Sequence, residues 1–209
     1  MIERLIQIDI NLFLWLNSHH SPFWDSVMWF VSGKIQWLPL YLLLLGYIIY
    51  RYKWQSISIV IAMIIAITLA DQLAVKAFKE VFERLRPSHN PDIQHLVHIV
   101  NSYRGGAYGF VSNHAANSFA LAVFISFLLK KRIITAGMLF WAACVSYSRI
   151  YLGVHYPGDI LGGALLGSLI GWLVYYIFNR FSLFSLCLHP KEKTAPQIMY
   201  QKLGKRKRP

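Results

Sequence analysis

Three short stretches of the chain hold residue types suited to handling a phosphoryl group. Lys79 is followed after six residues by Arg86 and Pro87. Val111, Ser112, Asn113 and His114 stand together. Ser148 and Arg149 are followed after five residues by His155, and after three more by Asp159. A phosphoryl group in its transition state spreads charge over three equatorial oxygens, so fixed cations and N–H donors are the main catalytic resource. Lys79, Arg86 and Arg149 are suitable cations. Ser112 and Asn113 precede a predicted helix, where their backbone amides would lie at the positive N-terminus and favour an anion. His114, in that first turn, could protonate a departing alkoxide, since an ordinary histidine pKa of about 6.5 allows donation near neutral pH. Pro157 suits the first turn of another helix, which puts Asp159 one turn along from His155. A carboxylate there can hold one ring nitrogen and leave the other free to attack phosphorus.

The elements that must position these groups are hydrophobic. Of 209 residues, 56% are hydrophobic and 14% charged, against roughly 25% charged in an average soluble domain, which places the chain in the membrane class. From Leu5 to Leu16 apolar residues alternate with Gln7, Asp9 and Asn11, an amphipathic pattern too short to span that predicts an interfacial helix. The stretch Phe23 to Tyr50 is either one long span or a short helix and then a span from Ile35, with Gly33 and Lys34 as the interruption. Further spans are predicted at Ile57–Phe78, His114–Leu129, Ile133–Tyr147 and His155–Phe178. Between them, Glu80 to Asn113 is too irregular for a spanning helix and too long for a connector, as functional loops often are. The expected fold is all-α: a polytopic transmembrane helical bundle of five or six spans with an N-terminal interfacial helix. Its expected divisions are an amphipathic segment 1–22, a membrane domain 23–180 and a basic tail 181–209.

The formal charge of +12 sits in short clusters between hydrophobic runs and in the C-terminal tail. That distribution argues against a nucleic-acid partner and for anionic lipid at the tail. Arg51 and Lys53, then Lys130, Lys131 and Arg132, then Arg180 and Lys205 to Arg208 fall on one set of membrane faces, which should be cytoplasmic. The three chemical stretches then meet on the opposite face. Two cysteines, Cys144 and Cys187, are too few for a disulfide framework or a thiolate metal site.

Taken together, the three stretches resemble the signature of the type-2 phosphatidic acid phosphatases, also called lipid phosphate phosphatases: K-x6-RP, then PSGH, then SR-x5-H-x3-D. The first and third match at every fixed position. In the second, Val111 stands for proline and Asn113 for glycine, while Ser112 and His114 are kept. The resemblance implies a metal-independent membrane phosphatase that needs no cofactor. It makes His155 the nucleophile, Asp159 its orienter and His114 the general acid, with Lys79, Arg86, Ser112 and Arg149 as phosphate ligands; Asn113 is added to that binding set from its place beside Ser112. The implied substrate is a phosphorylated lipid of a bacterial envelope: undecaprenyl pyrophosphate, phosphatidylglycerol phosphate, phosphatidic acid or lipid A. It would be met at the inner membrane by a site facing the periplasm.

Other readings are weaker. A transporter would usually show inverted repeats or matched broken helices, which the sequence lacks. A non-catalytic lipid-binding protein would not require a histidine paired with Asp159 and faced by His114. Vanadium haloperoxidases share a similar oxyanion pocket but are soluble. His19, His20, His89, His95, His98 and His189 read as structural, since zinc needs converging ligands and His95 with His98 alone falls short. Gly162, Gly163, Gly167 and Gly171 read as close helix packing.

Overall fold

The computed structural model describes residues 2–181, and among these every regular element is helical. The basic tail, with Cys187, His189 and Lys205 to Arg208, lies outside the described residues. Helix α1 (Ile2–Ser18) is followed by α2 (Pro22–Ser32), which Ser21 caps by accepting from the Trp24 amide and Pro22 opens. Gly33 ends α2, so the stretch read as one long span or two elements is two: a 3₁₀ turn (Ile35–Trp37) leads into α3 (Leu38–Tyr52). Lys53, at φ 54°, turns the chain into α4 (Ser56–Leu73). That helix runs on as a π-helical segment, Ala74–Lys79, and a last short turn, α5 (Glu80–Phe82).

Beyond the irregular stretch come α6 (Asn113–Leu129), α7 (Arg132–Tyr151) and α8 (Pro157–Phe181). Helix α7 extends four residues past the predicted Tyr147 and so carries Ser148 and Arg149 in its final turns. Helix α8 starts two residues later than predicted, which leaves His155 in the connecting turn. Three runs are long and apolar enough to cross a membrane: Ile35–Phe82, Arg132–Tyr151 and Pro157–Arg180, with α6 a shorter apolar helix. The molecule is a membrane protein, and its surface agrees. Ile57, Ile61, Ile64, Ile65 and Leu69 stand exposed along α4, and Leu161, Leu165 and Leu169 along α8; water would make that apolar exposure costly, whereas lipid does not.

Residues 1–175 form one compact unit, and a second begins at Tyr176, whose described part is the end of α8. Within the first unit, α8 lies against α6 along a glycine stripe. A Cβ at Gly167 would run into the Ala116 carbonyl, and one at Gly171 into that of Ala120, so only glycine permits this backbone approach. Glycines four apart share one helix face, as the sequence reading required. The contact fixes the head of α6, with Ser112, Asn113 and His114, beside the head of α8, with Asp159. Across the start of both lies the irregular loop, pinned by hydrogen bonds from Arg86 N to the Ala107 carbonyl (3.0 Å) and from Gly109 N to the Arg84 carbonyl (2.8 Å).

Candidate active site

His155 and Asp159 are almost fully buried side by side, with His155 Nδ1 3.3 Å from Asp159 Oδ2. The same carboxylate oxygen accepts the Tyr156 backbone N–H at 3.0 Å, which sets its angle to the ring. On the other side of the imidazole, Arg86 Nη1 lies 3.0 Å from Nε2. A guanidinium has only donors, so Nε2 accepts from it and the ring proton belongs on Nδ1, facing Asp159. The lone pair of Nε2 therefore points at a cation, where a phosphoryl oxygen would be held. Burial first, and then the charges of Arg86, Arg149 and Lys79, keep the imidazole well below the ordinary histidine range, so it is neutral at pH 7.

Arg86 is itself fixed by donating to the carbonyls of Tyr108 (3.1 Å) and Val154 (3.2 Å). Arg149 donates to the Tyr103 hydroxyl at 3.1 Å and to Ser32 Oγ, and its guanidinium stands 5.3 Å from the centre of the Tyr103 ring. Its Nε is buried with no partner among the described residues, a donor with capacity to spare for an anion. Arg86, Arg149 and Lys79 all act electrostatically on His155, and His114 is coupled to both His155 and Arg149, so these five groups lie near one another.

Two expected ligands are placed differently from the reading of the sequence. The Ser112 amide donates to the Asp159 carbonyl at 3.0 Å, and its hydroxyl caps α6 by accepting from the Ala115 amide, which leaves the hydroxyl proton as its free donor. The Asn113 side chain is taken up by two residues of the α4 run. Its Oδ1 accepts from Lys79 and its Nδ2 donates to Asp71 Oδ1 at 2.7 Å. Nor does Asn113 take a left-handed conformation; it is the first residue of α6, where φ is negative and glycine's freedom is not needed.

Other contributors escaped the sequence reading. Arg84 donates to Asp159 Oδ1 (2.9 Å) and to Asp9 Oδ2 (2.7 Å), with its guanidinium 4.1 Å from the centre of the Tyr156 ring. Asp9 also accepts the Gly158 amide at 2.8 Å, so α1 reaches the back of the His155 pair. Gly109 passes so close that a Cβ there would lie 2.9 Å from Asp159 Oδ2 and 3.6 Å from His155 Nδ1. Among the other histidines, His98 pairs with Asp25 at 2.9 Å and stacks on His20 at 3.7 Å, a structural contact away from the cationic site.

Beside this polar end lies a cavity of about 490 Å³ that His114 helps to line. Its walls include Tyr41, Leu44, Leu45 and Ile48 of α3 and Val60, Met63, Ile64 and Ile67 of α4. Both sets follow the i, i+3, i+4, i+7 spacing of one helix face, so two apolar faces look into a common space. Leu121 and Trp141 close it from α6 and α7.

Known proteins resemble this chain in sequence and in fold. The PAP2 superfamily profile matches residues 57–183. The chain is 45% identical over 183 residues to the lipid A 4'-phosphatase of Bacteroides thetaiotaomicron, covering 86% of this chain and 81% of that protein. It is 36% identical over 178 residues to the lipid A 4'-phosphatase of Porphyromonas gingivalis, covering 85% and 75%. The crystal structure of Aquifex aeolicus LpxE superposes with a TM-score of 0.63 at 26% identity, covering 80% of this chain and 94% of that one. These likenesses span the helices that carry all three stretches, and they establish that the chain belongs to the PAP2 superfamily and is a hydrolase of phosphate esters and anhydrides.

Proposed function

We propose that this membrane phosphatase removes phosphate from an envelope lipid through a phosphohistidine on His155. The observation that carries the reading is the clamp on the imidazole: Asp159 takes Nδ1, and Nε2 faces Arg86. In the proposed first step Nε2 attacks phosphorus, the bond to the lipid oxygen breaks, and His114 protonates that oxygen. Arg86, Arg149, Lys79 and the Ser112 hydroxyl bind the equatorial oxygens, supplying from side chains the charge stabilisation that magnesium gives other phosphatases. Water then attacks the phosphohistidine, with His114 as base, and inorganic phosphate leaves. The apolar cavity beside His114 is on the leaving-group side of this scheme and suits the hydrocarbon of a lipid.

Five crossings fit the helices best: Ile35–Tyr52, α4, α6, α7 and α8, with α1 lying along the outer surface. Contacts of α1 through Asp9 to Arg84 and through Asn17 to the Tyr151 carbonyl (2.8 Å) support that placement, since both partners lie at the site end of the bundle. Arg51, Lys53, Lys130, Lys131 and Arg132 mark the opposite, cytoplasmic end. The site then faces the periplasm of a bacterial inner membrane, residues 1–22 form the interfacial segment and 23–180 the phosphatase domain, and the basic tail sits on anionic lipid. The named activity of the two relatives above puts lipid A first among substrates. Side-by-side turnover of lipid A, undecaprenyl pyrophosphate, phosphatidylglycerol phosphate and phosphatidic acid by the purified protein tests this. The highest kcat/KM is expected on lipid A, unchanged by chelator and inhibited competitively by vanadate; no phosphate release from any of the four would overturn the reading.

A further inference from the structure

Asp71 lies in α4, eight residues before Lys79, in a span where a carboxylate is costly and tends to be kept for a purpose. Along an ordinary α-helix those eight residues would carry the chain about 80° past two full turns, so the two side chains would point in different directions. The π-helical segment Ala74–Lys79 turns through less per residue and takes up much of that excess. Both side chains then reach Asn113. Asn113 Nδ2 donates to Asp71 Oδ1 at 2.7 Å, Asn117 Nδ2 donates to the same oxygen at 3.0 Å, and Lys79 donates to Asn113 Oδ1.

The order of these bonds is dictated by chemistry. An ionised carboxylate only accepts, so it must face the NH₂ end of the Asn113 amide, and the carbonyl end must then face the Lys79 ammonium. An amide turned the other way would set two donors against each other. We propose that Asp71 and Asn113 are positioning residues, which hold the Lys79 ammonium in the phosphate site by fixing which way the Asn113 amide points. In this chain the link stands where the PSGH pattern has a glycine, which has no side chain with which to make it. The proposal rests on the phosphatase reading above, since it gives Lys79 a phosphate to bind.

The test is a double-mutant cycle on the purified full-length protein. Asp71→Asn, Asn113→Gly and the double variant are compared with the wild type for kcat/KM on p-nitrophenyl phosphate and for the Ki of vanadate. Each single change should lower kcat/KM by about tenfold or more and raise the vanadate Ki similarly, because Lys79 touches a group common to both ligands. The double variant should be no worse than the poorer single variant by more than about twofold, since both changes break one link. Losses that multiply, or a wild-type Ki in either single variant, would overturn it. Should Asp71→Asn fail to elute from detergent as folded protein, Asn113→Gly decides alone: a wild-type vanadate Ki there sinks the proposal. A wild-type enzyme that releases no phosphate would instead count against the phosphatase reading.

Discussion

Around His155 the side chains are held by directed bonds, whereas the cavity beside His114 is walled mostly by apolar side chains away from that polar end. Asp159 is gripped by Arg84 and the Tyr156 amide, Arg86 by two carbonyls, and Arg149 by Tyr103 and Ser32. The cavity between α3, α4, α6 and α7 has mostly apolar walls, a chemistry that suits hydrocarbon. The contrast separates two tasks. Phosphoryl chemistry is the same for every substrate and demands fixed charge, so its groups are preorganised. Choosing a lipid demands only complementary apolar volume, which substitutions can redraw without touching the chemistry.

If the two regions are separable, removing the proposed nucleophile should abolish turnover of every substrate alike. His155→Ala is expected to lower kcat by several orders of magnitude on lipid and on p-nitrophenyl phosphate, with an unchanged elution profile in detergent. Turnover within about tenfold of wild type would show that another group attacks phosphorus.

His114 stands at the boundary, and its loss should tell the substrates apart. A lipid alkoxide is a poor leaving group that needs a proton, and a nitrophenolate leaves without one. His114→Ala should therefore depress lipid hydrolysis about 100-fold to 10,000-fold more than p-nitrophenyl phosphate hydrolysis. Arg149→Ala should depress both about equally if, as proposed, the guanidinium meets the phosphoryl group they share. Equal losses in His114→Ala, with phosphoenzyme formation still limiting, would reduce His114 to a binding residue.

Filling the cavity should do the converse. Leu44→Trp and Leu121→Trp add bulk on opposing walls, and each is expected to lower kcat/KM for the lipid about tenfold while leaving p-nitrophenyl phosphate within about twofold. A parallel fall on both substrates would mean that the cavity and the charged end are not independent.

The gentlest probe is pH. Because burial and nearby cations hold His155 below the ordinary histidine range, the attacking neutral ring persists as pH falls. The acid limb of kcat/KM should accordingly lie below about pH 6.5. A limb at or above that value would contradict the cationic surroundings assigned to the imidazole.

The chemistry was legible in the sequence to the extent that residue type and local spacing carry it. His155 and Asp159 lie four apart across one turn, and Ser112 to His114 open a helix, so short-range geometry places them. The groups that hold them come from far along the chain: Arg84 and Asp159 are 75 residues apart, Asn113 and Asp71 42, and Arg149 and Ser32 117. No local period encodes such pairings. Asp9 read as a polar position of a short amphipathic helix, and the ion pair with Arg84 that gives it a task arises only when α1 meets the loop. The π segment was equally hidden, since its residues suit an α-helix just as well. The glycines of α8 were readable because a spacing of four is itself the packing rule.

The central claim is the phosphohistidine, and trapping it is the most direct test. The enzyme would be mixed with phosphorus-labelled substrate, quenched in alkali, which preserves phosphohistidine, and digested for mass spectrometry. Label is expected on the peptide bearing His155, at Nε2 because Asp159 occupies Nδ1, and it should be absent from His155→Ala. Label on another residue, or a pre-steady-state burst of lipid release with no phosphate on the protein, would contradict the account.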